Sequence, residues 1–269
     1  MRSRFSLPGF LALSLMLPGL ARGQAAPAYS QPTMPSGALA DPNIDRSFVM
    51  PTAETQPKGA LVFNDYELLL MGLTYGVTDN FQITGTTLVP IARDMPLVIQ
   101  GSLKFKLLDT SQVKLAAMAG AWILDDNDSG ENDDEAAIIL NLGGVASFCL
   151  DAGCDSMLSA GVTAAKGRNV KEFVDSDDGT QNDDIGFVYG ATLLTKIGRH
   201  AKLVLEADSA FSFAGRTWES ADGFLLNYGV RFFTQNIAGD IGFLKPIGED
   251  VDSDLLLGWP FINFTYRSM

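Results

Sequence analysis

The sequence has one histidine and two cysteines in 269 residues. A single histidine, His200, withholds the commonest general base from nearly the whole molecule. Two cysteines, Cys149 and Cys154, cannot staple a small disulfide scaffold, and a metal site built on them would need further His or Cys ligands that are missing. Past the first two dozen residues there is no run of eighteen apolar residues, so no helical membrane span is expected there. Basic residues are also scarce. Lys and Arg number 19 against 32 Asp and Glu, a net charge of −13, which argues against nucleic acid as a partner.

What is present begins with an address. Arg2 and Arg4 precede an apolar run over 7–20, and Ala21-Arg22-Gly23 places small residues where a signal peptidase needs them. Residues 1–23 read as a signal peptide, with the mature chain starting near Gln24. Pro8 and Pro18 bracket an apolar core too short to span about 30 Å of hydrocarbon as a retained helix. With no cysteine beside the cut, a lipid-anchored lipoprotein is not expected. Residues 24–57, rich in Ala, Pro, Ser and Gln and without a sustained period, read as a flexible periplasmic N-terminal segment with a short extended stretch at 47–50. From residue 58 onward the character changes, and 58–269 reads as one β-domain.

Its rhythm is alternation. Twelve strands are predicted, over 59–63, 66–76, 81–89, 97–108, 113–124, 135–148, 155–165, 185–197, 201–213, 223–234, 238–246 and 254–267. Most are near the nine to eleven residues that a tilted strand needs to cross a bilayer. In the fourth, Leu97, Ile99, Leu103, Phe105 and Leu107 fall on one face while Gln100, Ser102, Lys104 and Lys106 fall on the other. In the ninth, Leu203, Leu205, Ala207, Phe211 and Phe213 oppose Lys202, Glu206, Asp208 and Ser212. In the tenth, Phe224, Leu226, Tyr228, Val230 and Phe232 oppose Asn227 and Arg231. A soluble sandwich alternates in the same way, so the connections must decide.

Short turns at 78–80, 109–112, 150–153, 198–200 and 235–236 alternate strictly with long loops at 90–96, 125–134, 167–184, 214–222 and 247–253. The long loops carry 18 of the 32 carboxylates, so one end of the molecule is strongly acidic. Short turns on one side and long loops on the other are the habit of an up-and-down membrane barrel. Closure follows, because an unpaired strand edge in hydrocarbon costs several kcal/mol for each unsatisfied backbone group. The expected fold is therefore all-β, a transmembrane up-and-down antiparallel β-barrel of about twelve strands. Ten would follow if 59–63 does not span, and fourteen if the last segment divides at Pro260. Phe81, Phe187, Phe211, Phe213, Tyr228, Phe264 and Tyr266 lie near strand ends on outward parity, where aromatic girdles or ordinary apolar surface would stand.

The run Tyr75-Gly76-Val77-Thr78-Asp79-Asn80-Phe81-Gln82-Ile83 resembles the Tyr-Gly-Val-Thr-Asp-Asn strand-turn-strand motif of poorly characterised Gram-negative outer-membrane barrels, some of them labelled transporters. Gly76 and Asp79-Asn80 would supply its tight turn. Pro51-Thr52-Ala53-Glu54-Thr55, followed by Lys58-Gly59, is similar to the lead-in of the same group. The resemblance covers 51–89 and implies a barrel class, an outer-membrane location and no particular substrate. The last strand, 260–267, is similar to the aromatic carboxyl-terminal strand read by the barrel-assembly machinery, although Ser268-Met269 stand where an aromatic residue is usual.

Candidate chemistry is sparse. Outer-membrane phospholipases, deacylases and omptin-type proteases rely on a histidine, and His200 falls in a short turn, so neither catalytic residues nor enzymatic activity are expected. Lys104, Lys106, Lys202, Glu206, Asp208, Arg231 and Asp240 are lumen charges, with Lys202 and Arg231 the expected partners of Glu206 and Asp208. Cys149 and Cys154 flank one hairpin turn and are expected to form a disulfide in an oxidising compartment. Asp125, Asn127, Ser129 and Asp133 match the start of a calcium loop, but Ala136 stands where the bidentate Glu belongs. No cofactor is expected beyond weakly bound Ca²⁺ or Mg²⁺. The expected partners are outer-membrane lipid, lipopolysaccharide, the assembly machinery and small solutes. Two functions stay open: a porin-like channel or transporter for small solutes, or a non-conducting structural or surface-binding barrel with acidic, cation-binding loops.

Overall fold

Alternating side chains commit each strand to two environments, and the computed structural model shows what fills them. It describes residues 41–66, 69–89, 97–125, 136–168, 185–214, 217–220, 223–248 and 256–268. Thirteen strands occur among the described residues: β1 (Leu61–Tyr66), β2 (Leu70–Thr78), β3 (Phe81–Leu88), β4 (Leu97–Asp109), β5 (Val113–Asp125), β6 (Ala137–Cys149), β7 (Met157–Arg168), β8 (Ile185–Gly198), β9 (Ala201–Ala214), β10 (Thr217–Ser220), β11 (Gly223–Phe233), β12 (Ile237–Gly248) and β13 (Trp259–Ser268). Twelve form the wall. The four-residue β10 pairs only with the end of β9, extending that strand into a hairpin.

Every wall strand is antiparallel to its neighbours in chain order, and β1 pairs with β13 from Leu61↔Ser268 to Tyr66↔Asn263. That pairing closes the sheet and leaves it no edge, the condition for standing in lipid. The twelve expected strands are all present. Outward positions are apolar and exposed, among them Leu103, Phe105, Leu140, Leu142, Phe232, Ile241 and Ile262. Inward positions of the same strands are buried, among them Lys104, Lys106, Lys202, Glu206, Asn227, Arg231 and Asp240. Aromatics pair across neighbouring strands near both ends. Phe81 meets Phe105 with centroids 6.4 Å apart, Phe187 stacks on Phe211 at 4.7 Å, and Tyr228 meets Phe243 at 5.7 Å.

Two boundaries differ from the expectation. Asn64 and Asp65 read as a break in the sequence, yet β1 runs through them to Tyr66. The reason is the lumen: Asn64 Oδ1 accepts from Thr265 Oγ1 at 3.0 Å and from Arg46 Nη2 at 2.6 Å, so a polar residue here marks an inward position. Pro260 does not divide the last strand either. It sits within β13 opposite Phe243 and beyond the β1 pairing, which stops at Asn263, so its missing amide donor costs no bond to β1 and does not end the strand.

The largest difference is at 41–57, expected as part of a periplasmic tail. Leu39–Met269 forms one compact unit, and 41–57 lies folded inside the barrel, with Asp41, Asn43, Ser47, Phe48, Thr52, Ala53 and Gln56 almost wholly buried. Instead of an extended stretch at 47–50 there is a tight turn, in which Ser47 N–H donates to Met50 O at 2.8 Å beside a bridge between Arg46 and Pro51. The chain passes from this plug to the wall at Lys58-Gly59, where Gly59 has φ +81, a left-handed value that favours glycine. Gly76 serves the same crossing. It lies within β2, not in the turn, and a Cβ there would overlap the Pro57 carbonyl.

Candidate functional site

The site is the filled half of the lumen, and it is built from pairs of charge. Arg231 projects inward from β11 and is 0% exposed. Its Nε and Nη2 hold both Asp240 oxygens at 2.7 and 3.1 Å, a bidentate clamp. Nη1 donates to the carbonyls of Asn43 and Arg46 at 2.8 and 3.0 Å and reaches Asp41 Oδ2 at 3.3 Å, while Nη2 also donates to Ser47 O at 2.6 Å. One guanidinium thus ties the plug to the wall through four of its residues. Lys202 adds a second cation to Asp41 Oδ2 at 3.0 Å, and Arg267 donates to Asp41 O at 3.4 Å.

The opposite wall repeats the arrangement. Lys104 Nζ donates to three plug carbonyls, Asp45 at 2.7 Å, Glu54 at 3.1 Å and Thr52 at 3.2 Å. Lys106 and Lys114 both hold the Glu54 carboxylate, at 2.8 and 2.5 Å, and both also reach Asp109. Gln82 locks the plug's polar side: its carbonyl accepts from Gln56 N–H at 2.8 Å, and its amide donates to Asp45 Oδ2 at 2.9 Å. An apolar seam completes the fit. Phe48 packs edge-on against Phe261 at 5.4 Å, in a cluster with Met157, Leu194 and Val204.

These partners tune the plug's own ionisable groups. Burial alone would raise the Asp41 pKa, but the charges of Arg231 and Lys202 and the Asn43 N–H outweigh it and lower the value from 3.8 to about 2. Burial likewise opposes ionisation of Asp45, and the charges of Lys104 and Arg46 with the Gln82 and Gln56 amides bring it below the usual carboxylate range. Arg46 is lowered to about 10, chiefly by burial and against the pull of Asp45. Its guanidinium also lies over the Tyr66 ring, 4.2 Å from the centroid.

The lumen charges expected from the sequence therefore stand on the inner face, but in different company. Lys202 and Arg231 pair with Asp41 and Asp240, not with Glu206 and Asp208. Lys104 and Lys106 are committed to the plug and do not line an open pore. His200 lies in the turn between β8 and β9, with Nδ1 3.1 Å from the Phe233 carbonyl oxygen. Cys149 and Cys154 form the expected disulfide. Its turn is held as well by Asp151, whose carboxylate accepts from the N–H groups of Gly153, Asp155 and Ser156 at 3.1, 2.9 and 2.8 Å. Asp125 ends β5 opposite Leu97, whereas Asn127, Ser129 and Asp133 lie outside the described residues.

No family model matches the sequence, and no curated protein matches it. Solved structures do. An outer membrane channel from Pseudomonas putida F1 superposes with a TM-score of 0.45 at 10% identity, over 80% of this chain and 97% of that one. LpxR from Salmonella typhimurium gives 0.40 at 11% identity over 77% and 99%, and OmpT of Vibrio cholerae gives 0.39 at 12% over 74% and 64%. The fold is that of an outer-membrane β-barrel. At these identities the likeness concerns architecture alone. The expectation that enzymatic activity is absent is not upheld: a lone histidine in a short turn does not exclude it, and the barrel fold alone does not decide it.

Proposed function

We propose that the chain is an outer-membrane channel for small solutes whose residues 41–57 hold it closed from the short-turn end. The observation that carries the reading is the unequal filling of one lumen. Toward the short turns, the wall charges are engaged by the plug. Toward the loops, the inward positions Thr84, Thr86, Gln100, Ser102 and Asn141 are polar and only partly buried, as in the water-filled mouth of a channel. On this reading residues 1–23 are a cleaved secretion signal, the assembly machinery inserts the barrel, and lipopolysaccharide surrounds the acidic loops, whose carboxylates hold divalent cations weakly.

The test is single-channel conductance in a planar bilayer. The full chain should give rare, small steps, and Asp41→Asn combined with Glu54→Gln, which loosens the plug at two anchors, should give frequent ones. Silence from both folded proteins would favour the second reading, a non-conducting structural or surface-binding barrel. The tight engagement of the plug is the feature that supports that alternative.

A further inference from the structure

Two lumen carboxylates are left without a protein cation. Among the described residues neither Glu206 nor Asp208 has an ion pair, whereas Asp41, Glu54 and Asp240 all do. Glu206 is met by neutral donors only: the Ser47 hydroxyl, the N–H groups of Val49 and Met50 at 3.2 and 3.0 Å, and Asn227 Nδ2 at 2.7 Å. Asp208, two residues further toward the loops, accepts from the same Asn227 Nδ2, at 3.1 Å on Oδ2, and stands against the Glu206 carboxyl. One amide nitrogen therefore bridges the two carboxylates. Asp208 Oδ1 has no partner, and it lies over Gly190, where any Cβ would overlap it.

Neutral oxygens beside the pair are also unsatisfied. Thr192 Oγ1 and Asn227 Oδ1 lack partners, in residues 1% and 0% exposed. Both residues flank Glu206 directly in register, Thr192 from β8 and Asn227 from β11. Buried oxygens of this kind are nearly always bonded, so their convergence on two uncompensated carboxylates marks a place for a donor that also brings positive charge.

We propose that Glu206, Asp208, Asn227 and Thr192 form a lumenal subsite for the primary ammonium group of a small solute. An ammonium presents several N–H donors to acceptors of mixed charge. A hard divalent cation asks for about six to eight oxygens, and no three His, Cys, Asp or Glu side chains converge among the described residues. The approach is from the loop end. Val188, the next inward position above Gly190 on β8, is 48% exposed, and Val49 of the plug, whose N–H meets Glu206, is 61% exposed. The subsite rests on the solute-channel reading and names the charge of the solute.

The experiment is calorimetric titration of the full barrel, refolded in detergent, with n-butylammonium chloride, and with calcium chloride and sodium chloride in parallel. Saturable butylammonium binding is expected, weakened about tenfold or more in Asp208→Asn, which loses one of the two carboxyl groups, and weakened measurably in Thr192→Val. No saturable binding, equal binding in wild type and both variants, or binding of Ca²⁺ without butylammonium would each overturn the proposal. Heat-modifiable mobility on a gel reports folding, and Thr192→Val decides alone if Asp208→Asn does not fold. Conductance of the same preparation separates the two readings. A silent barrel that binds butylammonium keeps the subsite and removes the channel; a conducting barrel that does not bind keeps the channel and removes the subsite.

Discussion

The two halves of the lumen are lined by the same strands and the same inward parity, yet they solve opposite problems. Toward the short turns, Lys104, Lys106, Lys202, Arg231, Asp240 and Arg267 are shielded by 41–57, and nearly all are buried beside counter-charges or carbonyls. Toward the loops, inward side chains such as Thr84, Thr86, Gln100 and Ser102 are uncharged and only partly buried, and apolar Trp122 and Val188 stand among them. Buried charges are tolerable only when paired and hydrogen-bonded, while hydroxyls and amides need no partner but water. The distribution of charge along the wall therefore records where the lumen is filled by the plug.

The sharpest way to break that contrast is Arg231→Met. It takes the cation from Asp240, leaves Asp41 to Lys202 alone and frees three plug carbonyls, so it should cost about 3–5 kcal/mol in urea unfolding of the reconstituted barrel. A loss below about 1 kcal/mol, as for an exposed ion pair, would mean that the filled half is not sealed. Acid attacks the same contacts through the plug. Asp41 has a folded pKa lowered to about 2 from 3.8, so its contribution, about 2 kcal/mol, is complete above pH 4 and is lost as the pH falls toward 2. On the proposed channel reading, openings should become more frequent across that window, and a conducting barrel whose record is unchanged from pH 5 to pH 2 would show that the plug stays docked. Gly161→Leu tests packing without charge. A Cβ at Gly161 would come 3.1 Å from Met50 Cε and 3.2 Å from the Gly144 carbonyl oxygen, so the larger side chain should destabilise by about 1–3 kcal/mol. The smallest effect belongs to the open half. Gln100→Ala should change unfolding stability by less than about 0.5 kcal/mol, and a larger loss would show that this half is supported by more than water.

The wall was legible because period two is a local property. Leu103 and Lys104 announce their faces without reference to any other part of the chain, and the alternation of turn lengths announces the topology. Asn64 was misread because a polar residue inside a barrel looks the same as a polar residue in a loop. The plug was missed for a deeper reason. Its order comes from partners far away in sequence, and 41–57 carries no periodicity of its own to betray it. One signal was available: the lumen face carries more charge than an aqueous pore of this size needs, and Asp41, Asp45, Arg46 and Glu54 lie just upstream as partners. The subsite was visible as the pair Glu206 and Asp208, but not as an unpaired one, because only the structure shows Lys202 and Arg231 engaged elsewhere.

The anchoring of Asp41 has a consequence for how the molecule assembles. Its partners Arg231 and Arg267 lie 190 and 226 residues away in sequence, in the strands that are made last and that close the barrel against β1. The plug can meet Gln82, Lys104 and Lys106 early, but Asp41 cannot find Arg231 and Arg267 until the final strands are in place. Such extreme sequence separation makes docking slow to nucleate. It also couples two events that are independent in an empty barrel, because the ring can close with its charges buried only around an occupant. The plug then acts during folding as a former on which the last strands are drawn shut, and a chain that failed to hold it would complete its hydrogen bonds while leaving the inner charges without partners.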